Sequence, residues 1–278
     1  MGEEESSGFQ TPPGDEGCGG FGCDSMDEKK VLANIPPTQQ VALEDICMFV
    51  DPLDGTSEFV NGRLHCVSVL IGIAHQQRAI AGVICRPFPS EKHPGECLYG
   101  VVGLGAFLDH KQLPSFPPTA SPSLTIVTTL SRHHRVIDRL FQLLPQCSVL
   151  KEGGAGWKCW LVAIGQADCY AYPRAGTKLW DVLAGDAILA ALTGVTTDAC
   201  GRSICYSTSQ LGNVWGIMLS RNRNWHFDSL ILASHRALTE AAADPENPHW
   251  PHGLPIPERN SGGNSGGGQS EIFSNSYL

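Results

Sequence analysis

The stretch Asp51-Pro52-Leu53-Asp54-Gly55-Thr56 follows a short apolar run at residues 46–50 and decides the fold of the region around it. The apolar run predicts a buried strand. The proline fixes φ and lacks an N–H, so we expect the strand to stop there, and the glycine permits a tight turn. The chain therefore folds back and brings the carboxylates of Asp51 and Asp54 close together.

Two carboxylates held side by side repel each other, and a cation between them relieves the repulsion. Hard oxygen ligands suit Mg²⁺, and the carbonyl of Leu53 offers a further one. The hydroxyl of Thr56 either orients a water molecule or caps the segment that follows. The alternative for the whole stretch is an Asx-type turn that binds no metal.

Further acidic ligands are candidates elsewhere in the chain. Trp180-Asp181 begins an apolar helix, where Asp181 either joins the metal site or only caps the helix. Glu3 and Glu4 are a third source of carboxylates, or else solvated charges.

Two segments are candidates for contacts with an anionic ligand. Residues 153–156, three glycines and an alanine, precede a helix, and N–H groups at a helix N-terminus point towards phosphates. Lys158 adds a positive charge just inside that helix; the alternative is a glycine loop used for close packing. Ser131 to His134 follows a strand, where α/β proteins place ligand contacts, or else is an ordinary polar helix start.

The order of predicted elements gives the organisation of the chain. Closely spaced strands between residues 46 and 108 indicate an antiparallel meander, and alternating helices and strands from residue 124 indicate an α/β half. We predict a flexible loop carrying an N-terminal metal-ligand glutamate at 1–45, a sheet domain with the acidic site at 46–120, an α/β domain at 121–241 and a disordered tail at 242–278.

Composition limits the partners and the compartment. The 278 residues carry a net charge of −9, which gives no general attraction for nucleic acid or anionic membranes. No apolar run is long enough to cross a bilayer. The 11 cysteines lack metal-type CxxC spacing and are interpreted as free thiols, mostly buried, which favours a reducing compartment. We expect a cytoplasmic protein with a small-molecule partner.

Two motifs in this order identify a resemblance. The patterns D-P-(I/L/M)-D-(G/S)-(S/T) and W-D-x-x-A-x-x-x-(I/L) are matched by residues 51–56 and 180–188. The chain resembles the lithium-sensitive, magnesium-dependent phosphatases that include inositol monophosphatase, and is most similar to their bisphosphate nucleotidase branch. The resemblance implies removal of the 3'-phosphate of adenosine 3',5'-bisphosphate, with the phosphosulfate analogue and inositol 1,4-bisphosphate as further substrates; inositol monophosphatase-type activity is the alternative.

The resemblance also implies a role for each matching residue. Thr56 and Asp54 would be catalytic, and two or three Mg²⁺ ions would assist in-line attack of water on phosphorus. The implied metal ligands are Glu3, Asp51, Leu53 through its carbonyl, Asp54 and Asp181. The implied substrate contacts are Ser131, His134, Gly154, Lys158 and Asp181.

The fold implied is an α/β chain arranged as a layered α+β sandwich, of the inositol monophosphatase and fructose-1,6-bisphosphatase type. The family's two N-terminal helices and its T-D-x-x-T-x-A-D segment find no match here. Gly2-Glu3-Glu4 matches the family's G-E-E motif, and only Met1 precedes it. We therefore expect a sheet face without its covering helices, a metal site lacking one carboxylate and impaired hydrolysis, which leaves a nucleotide-binding fragment as a further alternative.

Overall fold

The computed structural model describes residues 42–88, 95–117, 123–131, 134–213 and 215–243. The first sheet is an antiparallel meander in which each strand pairs with the next in the sequence, as predicted. Its strands are β1 (Ile46–Asp54), β2 (Ser68–His75), β3 (Arg78–Arg86), β4 (Glu96–Val101), β5 (Gly105–Leu108) and β6 (Lys111–Gln112).

The second sheet is mixed and has the order β11-β13-β9-β7-β8. Strand β7 lies parallel to both β8 and β9, so the carboxyl ends of these three strands share one edge of the sheet. A separate two-stranded ribbon pairs β10 with β12. The strands are β7 (Thr125–Thr129), β8 (Ser148–Glu152), β9 (Cys169–Tyr172), β10 (Thr177–Lys178), β11 (Val195–Thr197), β12 (Gly212–Asn213) and β13 (Ile217–Ser220).

The helices complete a layered α+β sandwich, which confirms the predicted fold class. They are α1 (Thr56–Val60), α2 (Arg135–Leu143), α3 (Ala155–Ala163), α4 (Leu179–Ala191), α5 (Arg223–Trp225) and α6 (Leu232–Ala242), with a π-helical stretch at His226–Ile231 and 3-10 turns at Leu43–Asp45 and Leu64–Cys66. Helix α4 contacts strands of both sheets, so nearly all of its residues are buried and its sequence is apolar all round.

A row of glycines lets α4 lie directly on the first sheet. Gly72, Gly82 and Gly100 are register partners on β2, β3 and β4. A Cβ at Gly72 would lie 2.5 Å from the Leu183 side chain, and one at Gly82 would lie 2.3 Å from the Ala184 carbonyl oxygen. Because the strands place no side chain between the sheet and the helix at these positions, the helix that carries Asp181 has a fixed position on the sheet that carries Asp51.

Strand β1 differs from the prediction in two respects. It does not stop at Pro52 but runs on to Asp54 as an edge strand, with three steps between Asp51 and Asp54 facing two steps on β2. Pro is tolerated at such bulged edge positions, and a bulge re-aims the neighbouring side chains. The strand is also not buried throughout, since Met48 is 58% and Val50 48% exposed on the outer face of the sheet.

The cysteines correct another expectation. Cys85 and Cys97 are direct partners on β3 and β4 and form a disulfide, so the free-thiol interpretation is wrong for this pair. Opposite residues of an antiparallel pair are close enough to be bridged, which the sequence spacing alone does not reveal. Within the described segments the other cysteines are free, and Cys66, Cys159 and Cys169 are buried as expected, whereas Cys205 is exposed rather than in apolar surroundings.

The structure describes little of the two ends of the chain, for which a loop and a tail are predicted. Glu3, most of the loop at 1–45 and nearly all of the tail at 242–278 lie outside the described residues, and the three boundaries between the four predicted segments stay predictions. Within the residues that are described, each helix is too short or too polar to span a bilayer.

Candidate metal and phosphate site

Three aspartates from two parts of the fold converge at the end of β1. Carboxylate oxygens of Asp51, Asp54 and Asp181 all lie within 4.8 Å of one another. The bulge of β1 presents the first two, and the first turn of α4 presents the third. Three anions at this separation are a donor set that fits a hard divalent cation.

Asp54 is the buried centre of this group. One of its oxygens accepts from the Ala155 N–H at 2.9 Å, and the other accepts from the Gly156 N–H and the Ser68 hydroxyl, both at 2.8 Å. Burial raises the pKa of this carboxyl, and the Ala155 N–H opposes that rise. The N-terminus of α3 therefore binds an anion, but the anion is the carboxylate of Asp54.

The sequence of the glycine loop before α3 suggests a phosphate-binding loop. In the structure, however, the N–H groups at the start of α3 already donate to Asp54. Close packing, the alternative, applies here. A Cβ at Gly154 would lie 2.3 Å from the Cys66 carbonyl oxygen, and one at Gly156 would lie 2.4 Å from the Ser68 hydroxyl. Gly154 still lines the cavity, so its contact with substrate stays a prediction.

Asp181 has the capping role that was one of its two predictions, and its role as a metal ligand stays a prediction. One carboxylate oxygen accepts from the Lys178 N–H at 2.7 Å, which caps the start of α4. The same carboxylate faces the other two aspartates. Burial first, and then the charges of Asp54 and Asp51, raise its pKa to about 7. A cation bound among the three carboxylates would offset the repulsion between their negative charges.

The turn from Asp51 to Thr56 is internally hydrogen-bonded. The Leu53 N–H donates to Asp51 Oδ1 at 3.0 Å, and the Thr56 hydroxyl donates to the Leu53 carbonyl at 3.1 Å. The Asx-type turn therefore exists, and it serves to hold Asp51 at the site. Gly55 has φ 80°, the left-handed conformation that the tight turn requires.

A cavity of about 350 Å³ opens above the carboxylates. Its walls include Ser131, at the carboxyl end of β7, and the glycine loop after β8, because parallel strands deliver their ends to one edge. Lys158 also lines it; the ammonium is buried, donates to the Gly154 carbonyl and has its pKa lowered by burial.

His134 is placed away from this wall. Its Nδ1 accepts from the Val136 N–H at 3.2 Å and caps α2, and the residue is not among those that line the cavity. The cap matches the alternative, a polar helix start, and the contact of His134 with substrate stays a prediction.

Several lining residues carry no signal in the sequence that we recognised. Glu58, in the first turn of α1, is 2% exposed and ion-paired with Arg63. Tyr170 and Tyr172 reach the cavity from β9. Trp180 belongs to the Trp-Asp motif, but the motif does not indicate that its side chain lines the cavity from α4. The position of β9 beside β7 would have indicated the tyrosines, but that pairing is a long-range contact.

The match to known families agrees with this geometry. Residues 24–241 match the model described as the inositol monophosphatase family. The chain belongs to the inositol monophosphatase family. This confirms the resemblance drawn from the acidic hexapeptide and the Trp-Asp motif.

Two relatives carry a more specific description. The protein called 3'(2'),5'-bisphosphate nucleotidase 1 of Dictyostelium discoideum is 33% identical over 69% of this chain and 65% of its own length. The human protein of the same name is 37% identical over 64% of this chain and 58% of its own. The chain thus spans less than two thirds of either relative.

Solved structures show the same fold. An inositol monophosphatase from Zymomonas mobilis superposes with a TM-score of 0.57 at 19% identity, covering 72% of this chain and 74% of that one. At this identity the likeness concerns the fold alone.

Proposed function

We propose that this chain is a Mg²⁺-dependent phosphomonoesterase that removes the 3'-phosphate of adenosine 3',5'-bisphosphate and leaves AMP. The observation that carries the proposal is the convergence of Asp51, Asp54 and Asp181 within 4.8 Å at the floor of a cavity that also contains Lys158. The names of the relatives support the nucleotide, and family membership supports the phosphatase chemistry.

The residues present fit Mg²⁺ in charge and in donor type. Asp51, Asp54, Asp181 and the Leu53 carbonyl would hold it, although two oxygens of Asp54 already accept from the protein. When bound, the ion supplies charge neutralisation for phosphate and acidifies water. Glu3, the remaining proposed ligand, lies outside the described residues.

The chain's own groups would position the reaction. The Thr56 hydroxyl, beside the carboxylates, would orient the attacking water, whose oxygen bonds to phosphorus while the bond to the 3' oxygen breaks. Lys158 and Ser131, which line the same cavity, would hold the substrate. Trp180, a half-buried aromatic side chain, offers a surface for the base.

The test is phosphate release from adenosine 3',5'-bisphosphate with Mg²⁺, in the natural chain and in Asp51→Asn and Asp181→Asn. Loss of one carboxylate should lower kcat/KM on the order of a hundredfold or more, because several kcal/mol of charge stabilisation are removed. Asp228→Asn, an exposed aspartate of the π-helical stretch, is the matched control and should retain activity. Absence of release with every divalent metal would refute the proposal and leave nucleotide binding without turnover.

Inositol phosphates are the second candidate substrate class, since the family model is that of the inositol monophosphatases. The carboxylates would serve either substrate, whereas an aromatic wall favours a base. Initial rates on inositol 1-phosphate and on the bisphosphonucleotide separate the two. Trp180→Leu should lower the rate only on the nucleotide.

A further inference from the structure

A second group of metal-ligating side chains lies behind the glycine loop. A nitrogen of His65, Sγ of Cys66 and a carboxylate oxygen of Glu152 lie within 4.8 Å of one another. We propose that these three residues form a site for Zn²⁺ or a similar borderline-soft divalent cation, with water in the fourth position. This site is separate from the three aspartates, and the proposal does not depend on the proposed phosphatase activity.

The distances suit tetrahedral zinc. Cys66 Sγ lies 3.6 Å from Glu152 Oε2. Zn–S and Zn–O bonds of about 2.3 and 2.1 Å at a tetrahedral angle separate sulfur and oxygen by about 3.6 Å. The imidazole of His65 is exposed and its nitrogen lies within 4.8 Å of both other ligand atoms, so a small side-chain movement would bring it into the coordination shell.

Neighbouring groups hold the ligands in place. The Trp157 indole N–H donates to the same Glu152 oxygen at 3.3 Å, and such outer hydrogen bonds orient metal-binding carboxylates. Arg86 donates to the His65 carbonyl at 3.2 and 3.3 Å, which anchors the 3-10 turn. The charge of Arg86 is already paired with Glu96 at 2.8 Å.

The donor set distinguishes this site from the aspartate site. Thiolate and imidazole select zinc over magnesium, whereas carboxylates and carbonyls prefer magnesium. The thiol of Cys66 donates to Glu152, and burial raises the pKa of Cys66 to about 11. Zinc would displace this proton, so its affinity should rise with pH and one proton should be released per ion.

Sequence spacing could not reveal the site. His65 and Cys66 are adjacent, but Glu152 is 86 residues beyond the cysteine and meets it only because β8 ends beside the turn. The absence of CxxC spacing therefore does not count against this mixed site.

Co²⁺ is the probe for the test, added to the reduced full chain in excess Mg²⁺, which occupies carboxylate sites. A thiolate-to-cobalt absorption band should appear in the near ultraviolet, saturate at one equivalent and disappear when Zn²⁺ is added. Cys66→Ser should abolish it, and Glu152→Gln and His65→Asn should weaken cobalt binding tenfold or more. Cys147→Ser, a half-buried cysteine away from the site, should leave it unchanged.

Trp157→Phe separates an effect on the site from misfolding, because the absorption band and the cobalt affinity should respond differently. It should keep the spectrum of the band and weaken binding on the order of tenfold, because the outer hydrogen bond to Glu152 is lost while an aromatic ring still lies beside His65 and Arg86. The proposal is overturned if the natural chain shows no band, or if Cys66→Ser retains it.

Discussion

At the scale of single residues, Asp54 is at once a candidate metal ligand and a structural group. Its carboxylate accepts three hydrogen bonds that join β1 to β2 and to the start of α3. Asp51, in contrast, is half-buried and accepts one N–H from its own turn. Substitution of these two aspartates should therefore change the free energy of unfolding by different amounts.

We expect Asp54→Asn, measured by urea unfolding in a chelator, to lower the free energy of unfolding by about 1–3 kcal/mol, because the amide NH₂ would face an N–H or hydroxyl donor. Asp51→Asn should leave stability unchanged or slightly higher, since it relieves repulsion. Equal losses from both substitutions would contradict this assignment.

His226 gives a stability effect that depends on pH. It is fully buried, lies 2.9 Å from the Thr197 hydroxyl and 2.8 Å from that of Ser220, and burial lowers its pKa to about 3. Between about pH 6.5 and pH 3 the unfolded chain therefore binds a proton that the folded chain does not. This group makes stability fall as pH falls through that range, by up to about 1.4 kcal/mol per pH unit.

The comparison is between unfolding free energies of the natural chain and of His226→Gln at pH 7 and pH 5. The variant should be less stable at pH 7 but should lose less on acidification. His110→Gln, an exposed histidine, should follow the natural chain at both pH values. A parallel decline in His226→Gln would mean that this imidazole is not the cause.

At the scale of elements, the docking of α4 on the meander depends on the glycine row of β2, β3 and β4. Substitution of Gly82 by alanine should lower stability by about 1–3 kcal/mol or more, because its Cβ would meet backbone atoms of Ala184 that have no rotamer to change. Gly212→Ala places its Cβ in open space and should have little effect. Thermal unfolding of both variants checks this, and equal midpoints would show that the helix can move away.

The turn between β2 and β3 holds two residues in a strained backbone conformation. Gln76 and Gln77 have φ of 46° and 65°, a conformation that favours glycine and asparagine. Gln76→Gly removes an exposed side chain and should therefore raise stability by about 0.5–1 kcal/mol. The same substitution at Gln112, in the extended strand β6, should lower it by about as much, since glycine only adds freedom to the unfolded chain there. Two changes of the same sign, read from chemical unfolding, would contradict the turn assignment.

At the scale of the whole molecule, the aspartate site joins two layers of the fold. Asp54 and Asp181, which the two layers contribute, are more than a hundred residues apart in the sequence. Asp51 and Asp54 belong to the first sheet, and Asp181 belongs to the helix between the sheets. A divalent ion at their meeting point would bind the folded chain only. We expect Mg²⁺ to raise the unfolding free energy by about 2.7 kcal/mol at a hundred times its Kd.

Differential scanning calorimetry with and without Mg²⁺ measures this effect. Asp181→Asn should greatly reduce the shift, and Asp228→Asn should retain it. An undiminished shift in Asp181→Asn would place the ion elsewhere.

The sequence predicts the strong local patterns well and the long-range pairings poorly. The meander, the helix starting at Trp180-Asp181 and the acidic turn each follow from spacing or turn chemistry within a few residues. Strand β8 was missed because its side chains are polar or half-exposed, and β11 because it has three residues. The disulfide between Cys85 and Cys97 and the donation from α3 to Asp54 depend on register, which composition does not encode.

The direct contact of α4 with the glycine row also predicts how the molecule fluctuates. A helix packed backbone to backbone on strands cannot separate from them by side-chain rearrangement, so its amides exchange with solvent only when the layers part. Amides of α4, β2 and β3 should be among the slowest to take up deuterium. The aspartates at the ends of these elements would then keep their spacing through every partial opening that leaves this unit intact.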